Sequence, residues 1–173
     1  AVVDASGVKF DMVAVEGGSF AMGKTPAGTK IADVTIHEVV LDGFSISGKP
    51  VSRQLWEAVM NEQRGSSSSA EAPVDMVSQE DCKKFISKLS KMTGIPFALP
   101  TEAQWEFAAR GGVNSKGYMY AGSNDLADPS NKTRRTQKSQ PERIFRLTSS
   151  ITLYFQTCYL SLFNTRRSPK SIP

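Results

Sequence analysis

The chain has 173 residues, 39% apolar and 22% charged, a size and balance that fit one folded domain with a sizeable core. No run approaches the roughly 20 apolar residues that span a bilayer. The formal net charge of +4 is unevenly spread: residues 129–173 carry nine basic groups and one acid, whereas residues 1–128 are net acidic. One histidine, His37, and two distant cysteines, Cys82 and Cys158, exclude a three-histidine iron centre, and no HExxH, CxxC, calcium-loop or Walker spacing occurs. The chain opens on Ala1 rather than methionine and so reads as a processed or trimmed product, which leaves compartment open, export included.

In chain order, Phe10–Val15 and Ser19–Met22 read as two short strands around Glu16-Gly17-Gly18, a hairpin-like turn. A loop follows from Gly23 to Lys30. Val34–Leu41 alternates loosely and continues extended through Gly43–Ile46 as a second strand region. Ser52 then caps a helix from about Arg53 to Asn61, with Leu55, Trp56, Val59 and Met60 on one face. Arg64–Ala72, with four serines in a row, is predicted to be a flexible surface loop.

Ser78 and Asp81 begin the next helix, which runs to about Met92 and stops at Gly94. Cys82, Phe85, Ile86 and Leu89 recur at i, i+3, i+4 and i+7, and Lys83, Lys84, Lys88 and Lys91 fall on the wet face. Cys82 therefore reads as a small buried hydrophobe.

The third helix has both ends written into Leu99–Gly112. Pro100 keeps Leu99 extended, Thr101 and Gln104 can form a capping box, and Gly111-Gly112 can turn left-handed. Trp105, Ala108 and Ala109 define the expected packing face. Glu106 and Arg110 sit at i and i+4, a pair worth about 0.2–0.5 kcal/mol on the exposed face where the sequence places it. Short strands, two or three short helices and long loops make an α+β domain.

Five stretches carry a family resemblance: MVAVEGGSFAMG at Met12–Gly23, IHEVVLDGFSI at Ile36–Ile46, VSRQLWEAVM at Val51–Met60, PVDMVSQEDCKKFISKLSKMTG at Pro73–Gly94, and LPTEAQWEFAARGG at Leu99–Gly112 followed by Tyr118–Ser123. In this order they resemble the formylglycine-generating enzymes, or sulfatase-modifying factors. The resemblance covers roughly residues 10–125. It implies a loop-rich variant of the C-type lectin fold with a small twisted antiparallel sheet. It also implies oxidation of a sulfatase cysteine to formylglycine with O₂ and copper, with calcium as a further cofactor. His37 matches a strand histidine of the family and is given a structural role.

Past Asp128 the pattern stops, which divides the chain into a family-like domain at 1–128 and an atypical basic tail at 129–173. The Gly-Asn-Val-Trp-Glu-Trp, Arg-Gly-Gly-Ser-Trp and Gly-Phe-Arg motifs of the family are absent from Pro129–Pro173. That half supplies most of the family's chemistry, namely a reactive cysteine pair with its copper and the calcium sites. Here it holds one cysteine, Cys158. Two readings of the tail stand: a shifted frame or recombined terminus from about Pro129, or a divergent ending whose Ile151–Leu162 run completes the sheet.

No catalytic, cofactor-binding or metal residue is assigned from the sequence, and copper and calcium stay implications of the resemblance. The expected function is a family domain without its catalytic half. The alternative is a non-catalytic lectin-like module that binds a protein or glycan through its loops, as bacterial relatives do. A nucleic-acid partner is disfavoured, because Tyr154, Phe155, Tyr159 and Phe163 lie in an uncharged run apart from the basic clusters. The sequon Asn131-Lys132-Thr133 carries no weight.

Overall fold

The structure, a computed structural model, describes residues 1–23, 35–118 and 160–163. Among these the elements run β1 (Val2–Ala5), β2 (Val8–Val15), β3 (Gly18–Met22), β4 (His37–Leu41), β5 (Phe44–Ser47), α1 (Arg53–Met60), α2 (Gln79–Thr93), α3 (Glu102–Ala109), a 3-10 turn at Gly112–Asn114, and β6 (Ser161–Phe163). They fall into two compact units. The first takes the described residues of Ala1–Glu16, Asp42–Pro100 and Ile151–Pro173, and the second those of Gly17–Leu41 and Thr101–Ser150.

The first unit is an antiparallel sheet in the order β1-β2-β5-β6, with α1 and α2. β1 lies outside the strands expected from the sequence. Ser6 and Gly7 both have positive φ, 52° and 83°, which suits a tight two-residue turn between β1 and β2, and Gly7 N–H donates to Asp4 Oδ1 at 2.8 Å. β1 pairs with the first half of β2, Val8–Asp11, and β5 with the second, Met12–Val15. The expected hairpin around Glu16-Gly17-Gly18 does not form: Val15 pairs with Phe44, and β3 pairs with β4 instead. The single strand region expected from Val34 to Ile46 is likewise two strands, β4 and β5, in separate sheets and parted at Asp42-Gly43.

Both helices of this unit follow the sequence. Ser52 Oγ accepts from Leu55 N–H, and Asn61 in the left-handed region ends α1. Ser78 and Asp81 form the capping box of α2, and Gly94 at φ 69° ends it. Their apolar faces meet in one core with Val3, Ala5, Met12, Val51, Val74, Phe97 and Leu160. Trp56 and Phe85, both fully buried, stack flat at 5.0 Å with their planes 4° apart.

Of the run Ile151–Leu162, residues 160–162 are described. Leu160 is buried in this core, and Ser161–Phe163 pairs with Phe44–Ile46. Ser161 also bridges to Ala98, with reciprocal N–H to carbonyl bonds of 2.8 and 2.9 Å.

The second unit is the antiparallel pair β3-β4 with α3 and the 3-10 turn. Phe20 on β3 packs against Phe107 on α3 at 5.2 Å between ring centroids. The Thr101/Gln104 capping box forms, and Gly111 at φ 97° follows the helix. The buried residues of α3 are Gln104, Glu106 and Phe107, whereas Trp105, Ala108 and Ala109 are half-buried. The packing face is thus not the one expected. Gln104 is engaged by the cap, and Phe107 is set against Phe20.

Candidate functional site

Two polar clusters stand out, one in each unit. In the second unit Glu106 is buried, and its Oε1 accepts from Gly23 N–H at 3.0 Å. The same oxygen lies 2.9 Å from Arg110 Nε and 2.6 Å from Arg110 Nη2. The pair expected on an exposed face is therefore buried. In a low-dielectric setting a carboxylate needs such donors, and the guanidinium supplies two of them. The cluster fixes the residue that follows β3 to the middle of α3. Its carboxylate is committed to those donors, which makes it a clamp.

In the first unit the serine-rich segment is tied down, contrary to its reading as a flexible loop. Arg53 donates from Nε to the Arg64 carbonyl at 2.7 Å and from Nη1 to the Ser67 carbonyl. Asp75 accepts from Ser66 N–H at 2.8 Å and from Ser66 Oγ–H at 2.6 Å. Main-chain bonds join Arg53 to Ala72, Gln54 to Ala70 and Val74 to Val51. The Asp75 carboxyl is held below its ordinary value of 3.8, first by the Ser66 hydroxyl. Partial burial opposes this, and the Ser66 N–H, the Asp75 amide and the Arg53 charge add to it. Asp81 is also lowered, first by the Ser78 N–H and then by the Ser78 hydroxyl, as a capping carboxylate should be.

The residues that could carry the family's chemistry lie apart from these clusters. Cys82 is 5% exposed and sits in the apolar core of the first unit. Such surroundings keep solvent and substrate away from the thiol. A copper site built from two thiolates does not fit Cys82 in that setting. Cys158 lies outside the described residues. His37 is exposed at the start of β4, and its Nδ1 donates to the Thr35 carbonyl at 3.0 Å. Among the described residues, no three of His, Cys, Asp and Glu are grouped so as to hold a metal ion. Also among them, no helix is long and apolar enough to cross a membrane.

The sequence placed Glu106 at the surface and gave no role to Asp75. A partner at Gly23 or Ser66 leaves no mark in the spacing around either carboxylate.

This fold has known relatives. The model of one family, the sulfatase-modifying factor enzyme 1-like domain, matches residues 4–159. The chain belongs to this family. It is 28% identical over 151 residues to the chaperone protein LppX of Paenibacillus barcinonensis, an alignment covering 68% of this chain and 51% of that protein. It is 34% identical over 93 residues to the inactive C-alpha-formylglycine-generating enzyme 2 of Bos taurus, covering 54% of this chain and 28% of that one. The chain thus spans about half, or less, of the length of these relatives.

Among solved structures, variable protein 1 of Treponema denticola superimposes with a TM-score of 0.61 at 20% identity, over 73% of this chain and 61% of that one. PvdO from Pseudomonas aeruginosa gives 0.58 at 22% identity, over 75% and 56%. The fold is accordingly the α+β, formylglycine-generating-enzyme-like variant of the C-type lectin fold, with short antiparallel strands and three helices among the described residues.

Proposed function

We propose that this chain is a non-catalytic domain of the sulfatase-modifying factor family that serves as a binding scaffold. The observation that carries the reading is the position of Cys82. A thiol packed among Phe85, Leu89 and their apolar neighbours is unsuited to attack or to copper. That leaves Cys158 as the one other cysteine of the chain, and copper(I) asks for at least two soft ligands. The inactive bovine relative supports a family fold kept without the family's oxidation.

The partner in this reading is a protein segment rather than a glycan, a choice supported by the chaperone name of the Paenibacillus relative. The division at Asp128 belongs to the same proposal: residues 1–128 carry most of the scaffold, and residues 129–173 are its atypical ending, from which Leu160 enters the core and β6 joins the sheet.

Copper(I) titration against a chromogenic chelator tests this. The chain is expected to leave the chelator's copper in place, as the variant Cys82→Ser does. Withdrawal of one equivalent of copper that depends on both Cys82 and Cys158 overturns the reading.

A further inference from the structure

Met76 sits on the tethered loop in an unusual state. Its φ is 57°, a left-handed conformation uncommon for residues other than Gly, Asn and Asp, and the residue is 74% exposed. The neighbours impose this. Val74 and Val77 on either side are buried, and Asp75 is locked to Ser66 by two hydrogen bonds. The thioether is therefore presented to water between two buried valines.

The other described methionines are shielded in different degrees. Met12 is in the core, and Met22 and Met60 are half-buried. Met92 is 46% exposed, but the Ser6 hydroxyl donates to its sulfur at 3.4 Å and engages a lone pair that an oxidant needs.

We propose that Met76 is a reversible oxidation site whose oxidant is a peroxide. The peroxide's O–O bond breaks as its terminal oxygen is transferred to Sδ. A sulfur–oxygen bond forms, the sulfur loses two electrons, and water leaves when the oxidant is hydrogen peroxide. The polar sulfoxide points into solvent and touches neither the Trp56–Phe85 stack nor the Ser66–Asp75 bonds, so the fold survives the change. A sulfoxide reductase with a thiol reductant restores the thioether.

The test is graded hydrogen peroxide on the 173-residue chain, read by peptide mass mapping alongside near-ultraviolet circular dichroism. Met76 is expected to take up oxygen several-fold faster than Met92, with Met22 and Met60 slower and Met12 last. The spectrum and the melting temperature stay unchanged at the first equivalent, and the reductase returns the mass. The variant Met76→Leu, which presents a similar apolar side chain, is expected to lose the fastest uptake among these five positions. Equal rates at Met76 and Met12, or unfolding with the first oxygen, overturn the proposal.

Discussion

Glu106 on α3 and Arg110, the residue that caps its C-terminus one turn on, form a largely buried ion pair whose carboxylate also holds the main chain at Gly23, 83 residues away in sequence. Their side chains are 7% and 16% exposed, so the pair is largely removed from water. Such a pair is a weak source of net stability while intact, but removing one partner strands the other charge. Local sequence makes the helix, and this pair joins it to the end of β3.

Replacing Glu106 with Ala removes the acceptor of Gly23 N–H and the carboxylate beside Arg110. The expected loss is about 3 kcal/mol, at the low end for a broken buried pair because the Arg110 side chain keeps some contact with water. Urea denaturation measures it. A midpoint within error of the parent contradicts the clamp.

Asp75 makes a pH prediction. Its folded pKa lies below the ordinary 3.8, so the stabilisation it contributes is present above that pH. It is lost as the pH falls through the depressed folded value. Ser66→Ala removes the largest cause, and the Asp75 carboxyl should then titrate closer to 3.8. Carboxyl NMR across the acid range reads this directly, and an unchanged titration contradicts it.

Gly18 opens β3 against a crowded neighbour. A Cβ there would lie 2.8 Å from Val113 Cγ1 and 3.4 Å from Phe107 Cζ. Val113 is exposed enough to swing aside, so Gly18→Ala should cost about 1 kcal/mol, the lower end for overpacking. Gly18→Val should cost more, because Phe107 is held by Phe20 and cannot yield. Equal melting temperatures for the two variants would refute this ordering.

What the sequence disclosed was local. Ser52, Ser78 and Thr101 announced three helix starts, because a cap and its helix lie within three residues of each other. The buried face of α2 was equally plain, since its period repeats over fifteen residues. Pairing was not legible. Nothing within Phe10–Val15 says that its second half will pair with Phe44–Ser47 rather than with the strand that follows it, so the hairpin with β3 was a fair reading of the turn and still mistaken. Ser6-Gly7 did carry a turn signal for β1. The ties of Arg53 to Ser67 and of Ser66 to Asp75 join positions nine or more residues apart, beyond any pattern in composition. No site residue was read from the sequence, and the clamp carboxylate was placed on the wrong side of its helix for the same reason.

Cys82 supplies a direct probe of the first unit. Its thiol should be inert to an aromatic disulfide reagent in the native chain and react once urea unfolds it, because attack needs an accessible thiolate. Phe85→Ala, which removes the ring stacked on Trp56, should cost about 3–5 kcal/mol and bring the onset of Cys82 labelling to lower urea. Prompt labelling of Cys82 in the native parent would place the thiol outside the core.

The central claim, a family scaffold without the family's oxidation, meets its most direct test in a mass measurement. The 173-residue chain is incubated with Cu(I), O₂, a thiol reductant and a peptide bearing Cys-x-Pro-x-Arg. The account predicts a peptide of unchanged mass after reversal of any disulfide. The loss of mass that accompanies conversion of its cysteine to an aldehyde would contradict the account.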